Sequence, residues 1–318
     1  MIDVVVVAYR SAGVIDRCLA AARDIPGLGR LVVVDHGDDG TAEVARDLGA
    51  AVIADPSNPG FGAGQNRGFT ATTAEYVLLL NPDAEVRGAA VARGAELLAA
   101  RPEVALVQGV VASADGGEPE RSRGRELAPV HLWGRALGLR RLVRIGAVRA
   151  LARRLPSVAD HVDRTPTNVE DVEWLAATVV LARRAALDAV DGFDNIHYFL
   201  YGEDLDLCRR LRAGGWTLVA VPEQWATHMS GASSASSWDR ELEWWRGTMT
   251  FAARSWQPSA YGSAQAAAFV RWLRLTARRP ASAARAWTAL IGDGRRARRS
   301  RAFAPTRPLP TPPSARRP

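Results

Sequence analysis

Five short apolar runs fall within the first 109 residues: IDVVVVAY (Ile2–Tyr9), LVVVD (Leu31–Asp35), AVIAD (Ala51–Asp55), YVLLL (Tyr76–Leu80) and VALVQG (Val104–Gly109). They are continuous rather than alternating, and rich in valine, which marks strands buried on both faces. Helical spacing separates them. Ser11–Asp24 carries Val14, Ile15, Cys18, Leu19 and Ala22 on one side, and Ala42–Leu48, Arg67–Ala74 and Gly88–Ala100 follow. Strands alternating with helices at this interval fold as βαβ units around a mostly parallel sheet. AYRSAG stands after the first strand where a dinucleotide-binding domain needs GxGxxG, and no GxxxxGK[ST] occurs, so that domain and a P-loop are both disfavoured.

Ligands of such sheets bind outside the carboxyl ends of the strands. Two strands end there in an acid: Asp35 after LVVVD, and Asp83 in LLLNPDAEV. Two carboxylates at one edge repel unless a cation or a hydrogen-bond donor sits between them. Mg²⁺ or Mn²⁺ with a phosphate-bearing ligand supplies such a cation. Asp35 can equally accept a hydrogen bond from a nucleobase or ribose without touching metal. PSNPGFGAGQN (Pro56–Asn66) reads as a glycine-rich loop, either a plain connection or a wall that brings Asn66 and Arg67 near phosphates.

Residues 113–169 are rich in Gly, Arg and Pro, and Gly134–Leu155 within them is basic and amphipathic. Ala176–Ala182 is strand-like and Arg183–Val190 helix-like. In YFLYGEDLDLCRRLRAGGW, Glu203, Asp204 and Asp206 crowd a helix N-terminus, where the backbone dipole favours negative charge. Capping accounts for Glu203 or Asp204. A carboxylate beside the apolar wall Tyr198–Tyr201 can also serve as a base toward a hydroxyl. Gly214 and Gly215 end that helix. TLVAVP (Thr217–Pro222) is a strand leading to ATHMSG, whose His228 is either a satisfied histidine or, beside Asp83, a ligand suited to Mn²⁺. From Asp239 the pattern is helical, and the stripe Leu242, Trp245, Met249, Ala252, Trp256 could serve a homodimer.

The chain has a net charge of +7, but thirteen arginines against the single acid Asp293 give +12 from Arg271 to Pro318, leaving −5 for the first 270 residues. A basic tail of this kind meets the phosphates of nucleic acid or of anionic lipid. Arginines share the segments Gly134–Leu155 and Phe269–Trp287 with Trp, Phe and Leu, as in helices lying at a lipid interface, and no groove-reading motif is present. Attachment to an anionic membrane surface is therefore expected, and specific nucleic-acid binding is not. The competing arrangement is packing of these helices on the body. No run of about 18 apolar residues predicts a transmembrane helix. With a strand-like run starting at Ile2 and no basic region before it, no secretory leader is expected. Cys18 and Cys208 read as reduced core residues of a cytosolic protein.

In order, VVVVAYRSAGVIDRCLAA, VVVDHGDDGT, NPGFGAGQNRGF, LLLNPDAEV, EWLAATVVLARRAALDAVDGFD and YFLYGEDLDLCRRLRAGGW make residues 2–232 resemble the inverting family 2 glycosyltransferases of GT-A fold, and among them the bacterial rhamnosyltransferase-like branch. The resemblance implies an α/β GT-A domain over 1–235 with a variable acceptor-side insert at about 113–169. A basic helical extension (236–301) and a disordered Pro/Arg-rich tail (302–318) would follow. It implies that Asp83, with Asn81 at the first position of the DxD motif, holds Mg²⁺ or Mn²⁺ on the donor diphosphate together with His228. It implies nucleotide contacts from Asp35, a donor site completed by Tyr9, Asn66 and Arg67, and Asp204 as catalytic base. Trp174 and Glu203 would flank sugar and acceptor. His36 and Asp38 depart from the commoner DNGS string, and Ala176-Ala177 replaces a usual glycine. The implied reaction moves L-rhamnose from dTDP-rhamnose to a glycan or polyprenyl-diphosphate-linked acceptor in cell-envelope synthesis, on the inner face of the membrane. The alternatives are a UDP- or GDP-sugar donor with another acceptor, and a non-catalytic protein binding nucleic acid or lipid through its tail.

Overall fold

The computed structural model describes residues 1–139, 142, 145–154, 165–229 and 237–276. Strands β1 (Ile2–Ala8), β2 (Leu28–Asp35), β3 (Ala51–Ala54) and β4 (Tyr76–Leu80) form the first half of a nine-stranded sheet. Its second half comprises β5 (Ala84–Val86), β6 (Val104–Ser113), β8 (Glu170–Val172), β10 (Val179–Arg183) and β11 (Thr217–His228). The order is β3-β2-β1-β4-β10-β6-β11-β5, with β8 also paired to β11, while β7 (Arg123–Gly124) and β9 (Trp174–Leu175) make a separate ribbon. The first four strands pair in parallel, as the alternating pattern requires. β10 runs antiparallel to both β4 and β6, and β11 is parallel to β6. Two reversals cancel, so β1, β2, β4, β6 and β11 all end at one edge of the sheet.

The sheet's two faces carry separate cores. Val4, Val6, Leu78 and Leu80 point to one face, under α1 (Ile15–Arg23), α2 (Thr41–Asp47) and α4 (Gly88–Ala100). Val5, Val77 and Leu79 point to the other, under α3 (Phe61–Thr70), α7 (Arg184–Ala189) and α8 (Glu203–Ala213). This is the two-sided burial that valine-rich runs predict. Cys18 and Cys208 are buried free thiols in these layers.

Three expectations change. The glycine-rich stretch is mostly helix, because α3 begins at Phe61. Its glycines serve close approach rather than looseness: a Cβ on Gly68 would stand 2.2 Å from Val5 Cγ1, and one on Gly62 would stand 3.0 Å from Phe193 Cβ. The strand expected to end at Pro222 continues to His228. Its register shifts between Ala220 and Gln224, where a residue without an N–H can be accommodated. The apolar stripe of α9 (Ser237–Ser255) does not await a second copy. Trp245, Met249, Ala252 and Trp256 are buried within this chain, packed with α5 (Pro129–Leu137) and α10 (Pro258–Thr276) around Leu132, Phe251 and Tyr198. Burial of each large side chain there is worth about 1.5–3 kcal/mol. Insert and extension thus share one helical layer. The basic segment Gly134–Leu155 also contributes α6 (Gly146–Arg153). Phe269–Trp287 beyond Thr276 and the tail from Ala302 lie outside the described residues. No helix among the described residues is long and apolar enough to cross a membrane.

Candidate active site

A cavity of about 970 Å³ opens at the carboxyl edge, where Tyr9, Asn81, Asp83, Trp174, Asp204 and His228 meet on its wall. Strand ends deliver most of them. Asn81 is fixed by its N–H to Thr178 O (2.8 Å), and the turn closes with Ala84 N–H on Asn81 O (3.2 Å), leaving Asp83 between β4 and β5. β11 pairs with β5 so that His228 stands opposite Ala84. His228 Nε2 then lies 2.8 Å from Asp83 Oδ1, and its Nδ1 lies 2.9 Å from Glu120 Oε2. Burial alone would lower the imidazole's pKa, but the two carboxylates override it and push it up to about 9. The ring is an imidazolium bridging two acids. Glu120 comes from the insert, and no sequence signal distinguishes it from its neighbours.

Asp204 and Glu203 open helix α8 after a tight turn in which Tyr201 and Gly202 have φ of 65° and 88°. Asp204 Oδ1 accepts the Leu205 N–H at 2.8 Å. Burial raises both carboxyls, and the charge of Asp204 raises Glu203 further. The Leu205 N–H, the indole of Trp174 and the Arg121 charge favour ionised Asp204. Glu203 Oε2 has no hydrogen-bond partner among the described residues. The pair therefore holds its proton on Glu203 and its charge on Asp204. Arg121, Arg240 and Trp244, from the insert and from α9, line the same cavity and were not identified in the sequence.

Three expected donor residues stand elsewhere. Asn66 clamps a backbone: its Nδ2 donates to Phe193 O (2.8 Å), and Phe193 N donates to its Oδ1 (2.9 Å). Arg67 pairs with Asp55 at 2.5 Å. With α3 starting at Phe61, both belong to a helix packed on the sheet rather than to a loop over the edge. Asp35 is buried, its Oδ1 accepting Gly37 N–H at 2.9 Å, while the adjacent His36 reaches the cavity wall. Burial raises the Asp35 carboxyl. Tyr9, Asn81, Asp83, Trp174, Glu203, Asp204 and His228 do share the cavity.

A family model, Glycosyl transferase family 2, matches residues 3–155. An N-acetylglucosaminyl-diphospho-decaprenol L-rhamnosyltransferase of Mycobacterium tuberculosis is 31% identical over a stretch covering 38% of this chain and 52% of that protein. The chain spans about half the length of the curated relatives it matches. In fold it is similar to the mannosyltransferase PcManGT from Pyrobaculum calidifontis in complex with GDP-Man and Mn²⁺, with a TM-score of 0.54, 16% identity, and coverage of 95% of this chain and 87% of that one. S. aureus TarS 1–349 in complex with UDP-GlcNAc superposes with a TM-score of 0.53 at 15% identity, covering 93% and 81% respectively. Over residues 3–155 the chain is thus similar to glycosyl transferase family 2, and its fold is that of these solved glycosyltransferases, the GT-A fold.

Proposed function

We propose that the protein transfers a sugar from a nucleoside diphosphate to a hydroxyl of a lipid-linked glycan, with inversion at the anomeric carbon. One observation carries this reading: the Asp83–His228 pair and the Asp204 carboxylate face a single cavity, although they come from three separate parts of the chain. The donor diphosphate lies against Asp83 and His228, with Tyr9 and Asn81 beside it. Asp204 takes the proton of the acceptor hydroxyl as that oxygen attacks, assistance typically worth about 10²–10⁴-fold. Trp174 and Glu203 flank the acceptor sugar. With Asp204 assigned as the one base, the acceptor oxygen displaces the diphosphate in a single step, which inverts the configuration.

Asp83 and His228 suit a divalent cation. Once the proton between them is displaced, they offer one carboxylate oxygen and one imidazole nitrogen on the cavity wall, and Glu120 holds the far ring nitrogen as an outer-shell partner does. Among the described residues no three His, Cys, Asp or Glu side chains converge as a ligand set, so phosphate oxygens and water would complete the coordination. Mg²⁺ or Mn²⁺ held there supplies Lewis-acid stabilisation of the departing diphosphate. The Mn²⁺ in the PcManGT complex supports this assignment.

L-Rhamnose from dTDP-rhamnose is the donor we favour, and a polyprenyl-diphosphate sugar the acceptor, in line with the name of the mycobacterial relative. Peripheral attachment to the inner face of the membrane fits the exposed Leu137, Leu139, Leu142, Ile145, Leu151 and Phe269 on or beside α5, α6 and α10, in a segment interleaved with arginine. The deciding experiment pairs transfer with binding. Asp204→Asn is expected to abolish transfer while still binding nucleotide sugar. Wild-type turnover by that variant would remove the base assignment. Asp83→Ala is expected to lose metal-dependent donor affinity, and an affinity unchanged by the substitution and by EDTA would remove the metal role.

A further inference from the structure

Helix α9 turns two faces to the molecule. Trp245, Met249, Ala252 and Trp256 are buried in the helical layer. Arg240, Glu243, Trp244 and Thr248, at i, i+3, i+4 and i+8, line the cavity. Gly247 fixes where that second face lies. A Cβ on Gly202 would stand 2.6 Å from Gly247 O, and one on Gly247 would overlap Tyr201 O, so the helix rests directly on the turn that leads into Glu203 and Asp204. Trp244 precedes Gly247 by less than one helical turn, roughly 4.5 Å along the axis. Its ring therefore borders the end of the cavity that carries Asp204.

That ring is held from outside the cavity. Arg135 of α5 covers it, with the guanidinium carbon 4.0 Å from the centroid, and Trp245 packs at 89° to it with centroids 5.3 Å apart. Arg135 is anchored in turn by Glu241. Neither Arg135 nor Trp245 lines the cavity, so neither covers the part of the Trp244 ring that does. Aromatic rings carry negative charge on their faces, which suits the C–H groups along one side of a pyranose, and a ring already locked in place costs little further ordering on binding. An acceptor whose hydroxyl reaches Asp204 brings its sugar ring to this end of the cavity. We propose that Trp244 is the contact surface for the sugar ring of the acceptor, so that the C-terminal extension selects an acceptor that already carries a sugar. The orientation rests on the transferase reading, and the inference deepens it by naming what recognises the acceptor. Trp244 is a binding residue here and takes no part in bond making.

The test uses the full chain and three probes: undecyl diphosphate bearing N-acetylglucosamine, undecyl diphosphate alone, and dTDP, UDP or GDP with Mn²⁺. Wild type is expected to bind the sugar-bearing probe about tenfold more tightly than the bare diphosphate. Trp244→Leu is expected to erase that preference and leave nucleotide affinity unchanged. Trp244→Phe keeps an aromatic ring and is expected to retain an intermediate preference with the wild-type Tm. It carries the test alone if the leucine variant does not fold: a preference cut about threefold at unchanged nucleotide affinity supports the platform, and a full wild-type preference overturns it. Equal binding of both acceptor probes by wild type overturns the proposal, as does an undiminished preference in Trp244→Leu. A fall in nucleotide affinity as large as the fall in sugar preference also overturns it, and would move Trp244 to the donor. If no nucleoside diphosphate binds wild type, the transferase reading fails by itself, whatever the acceptor probes show.

Discussion

His228 Nε2 stands 2.8 Å from Asp83 Oδ1 across 145 residues of chain, and the same ring is held from behind by Glu120. Two acids keep the imidazole protonated to about pH 9, against an ordinary value of 6.5. The folded chain therefore binds this proton more tightly than the unfolded chain does. Its stabilisation is complete below about pH 6.5 and is lost as pH rises through about 9. In EDTA, wild-type stability is expected to fall across that window by roughly 3 kcal/mol, and His228→Gln to flatten the slope. Denaturant titrations at closely spaced pH values read it directly. Parallel curves for the two proteins would separate the ring from its assigned charge.

Asp204 works as a base only when ionised. Burial lifts its carboxyl from 3.8 to about 6, so transfer at saturating substrate is expected to fall as pH drops through about 6 and to be level above it. A pH–rate profile with no acidic limb near that value would argue for another base.

Glu203 offers the opposite test. Its carboxyl, buried and beside Asp204, is raised from 4.5 to about 8, so the folded chain keeps a proton that the unfolded chain has released. Stability falls as pH climbs from about 4.5 to about 8. Glutamine copies the protonated acid and cannot ionise. Glu203→Gln is expected to raise stability at pH 8 by the order of 4 kcal/mol, seen as a higher Tm that converges with wild type toward pH 4.5.

Gly247 in α9 lies against the turn that presents Glu203 and Asp204. A Cβ there would stand 1.8 Å from Tyr201 O, and one on Gly202 would meet Gly247 O at 2.6 Å. Helix propensity alone favours alanine over a mid-helix glycine by about 1 kcal/mol. The backbone contact reverses the sign. Gly247→Ala is expected to destabilise by about 1–3 kcal/mol and to slow transfer, because the turn carrying Asp204 must move. A stabilised, fully active variant would show that the extension does not hold the site.

The sequence by itself determined the sheet, because strands buried on both faces must be written as unbroken apolar runs, as in Ile2–Ala8 and Tyr76–Leu80. It also placed Asp83 just after a strand end and exposed the acids of GEDLDL as a helix start, whereas His228 lies six residues past the apolar run TLVAVP and ends β11 only because that strand continues beyond Pro222. Tertiary structure decided everything that depends on contacts between distant segments. Asn66 and Arg67 read as donor residues until packing turned one to Phe193 and the other to Asp55. Glu120, Arg121 and Arg240 carry no local pattern, and reach the cavity only because insert and extension fold over the sheet edge as one layer. The stripe on α9 looked unpartnered for the same reason. Periodicity records that a face is buried, but the partner that buries it is chosen by long-range packing.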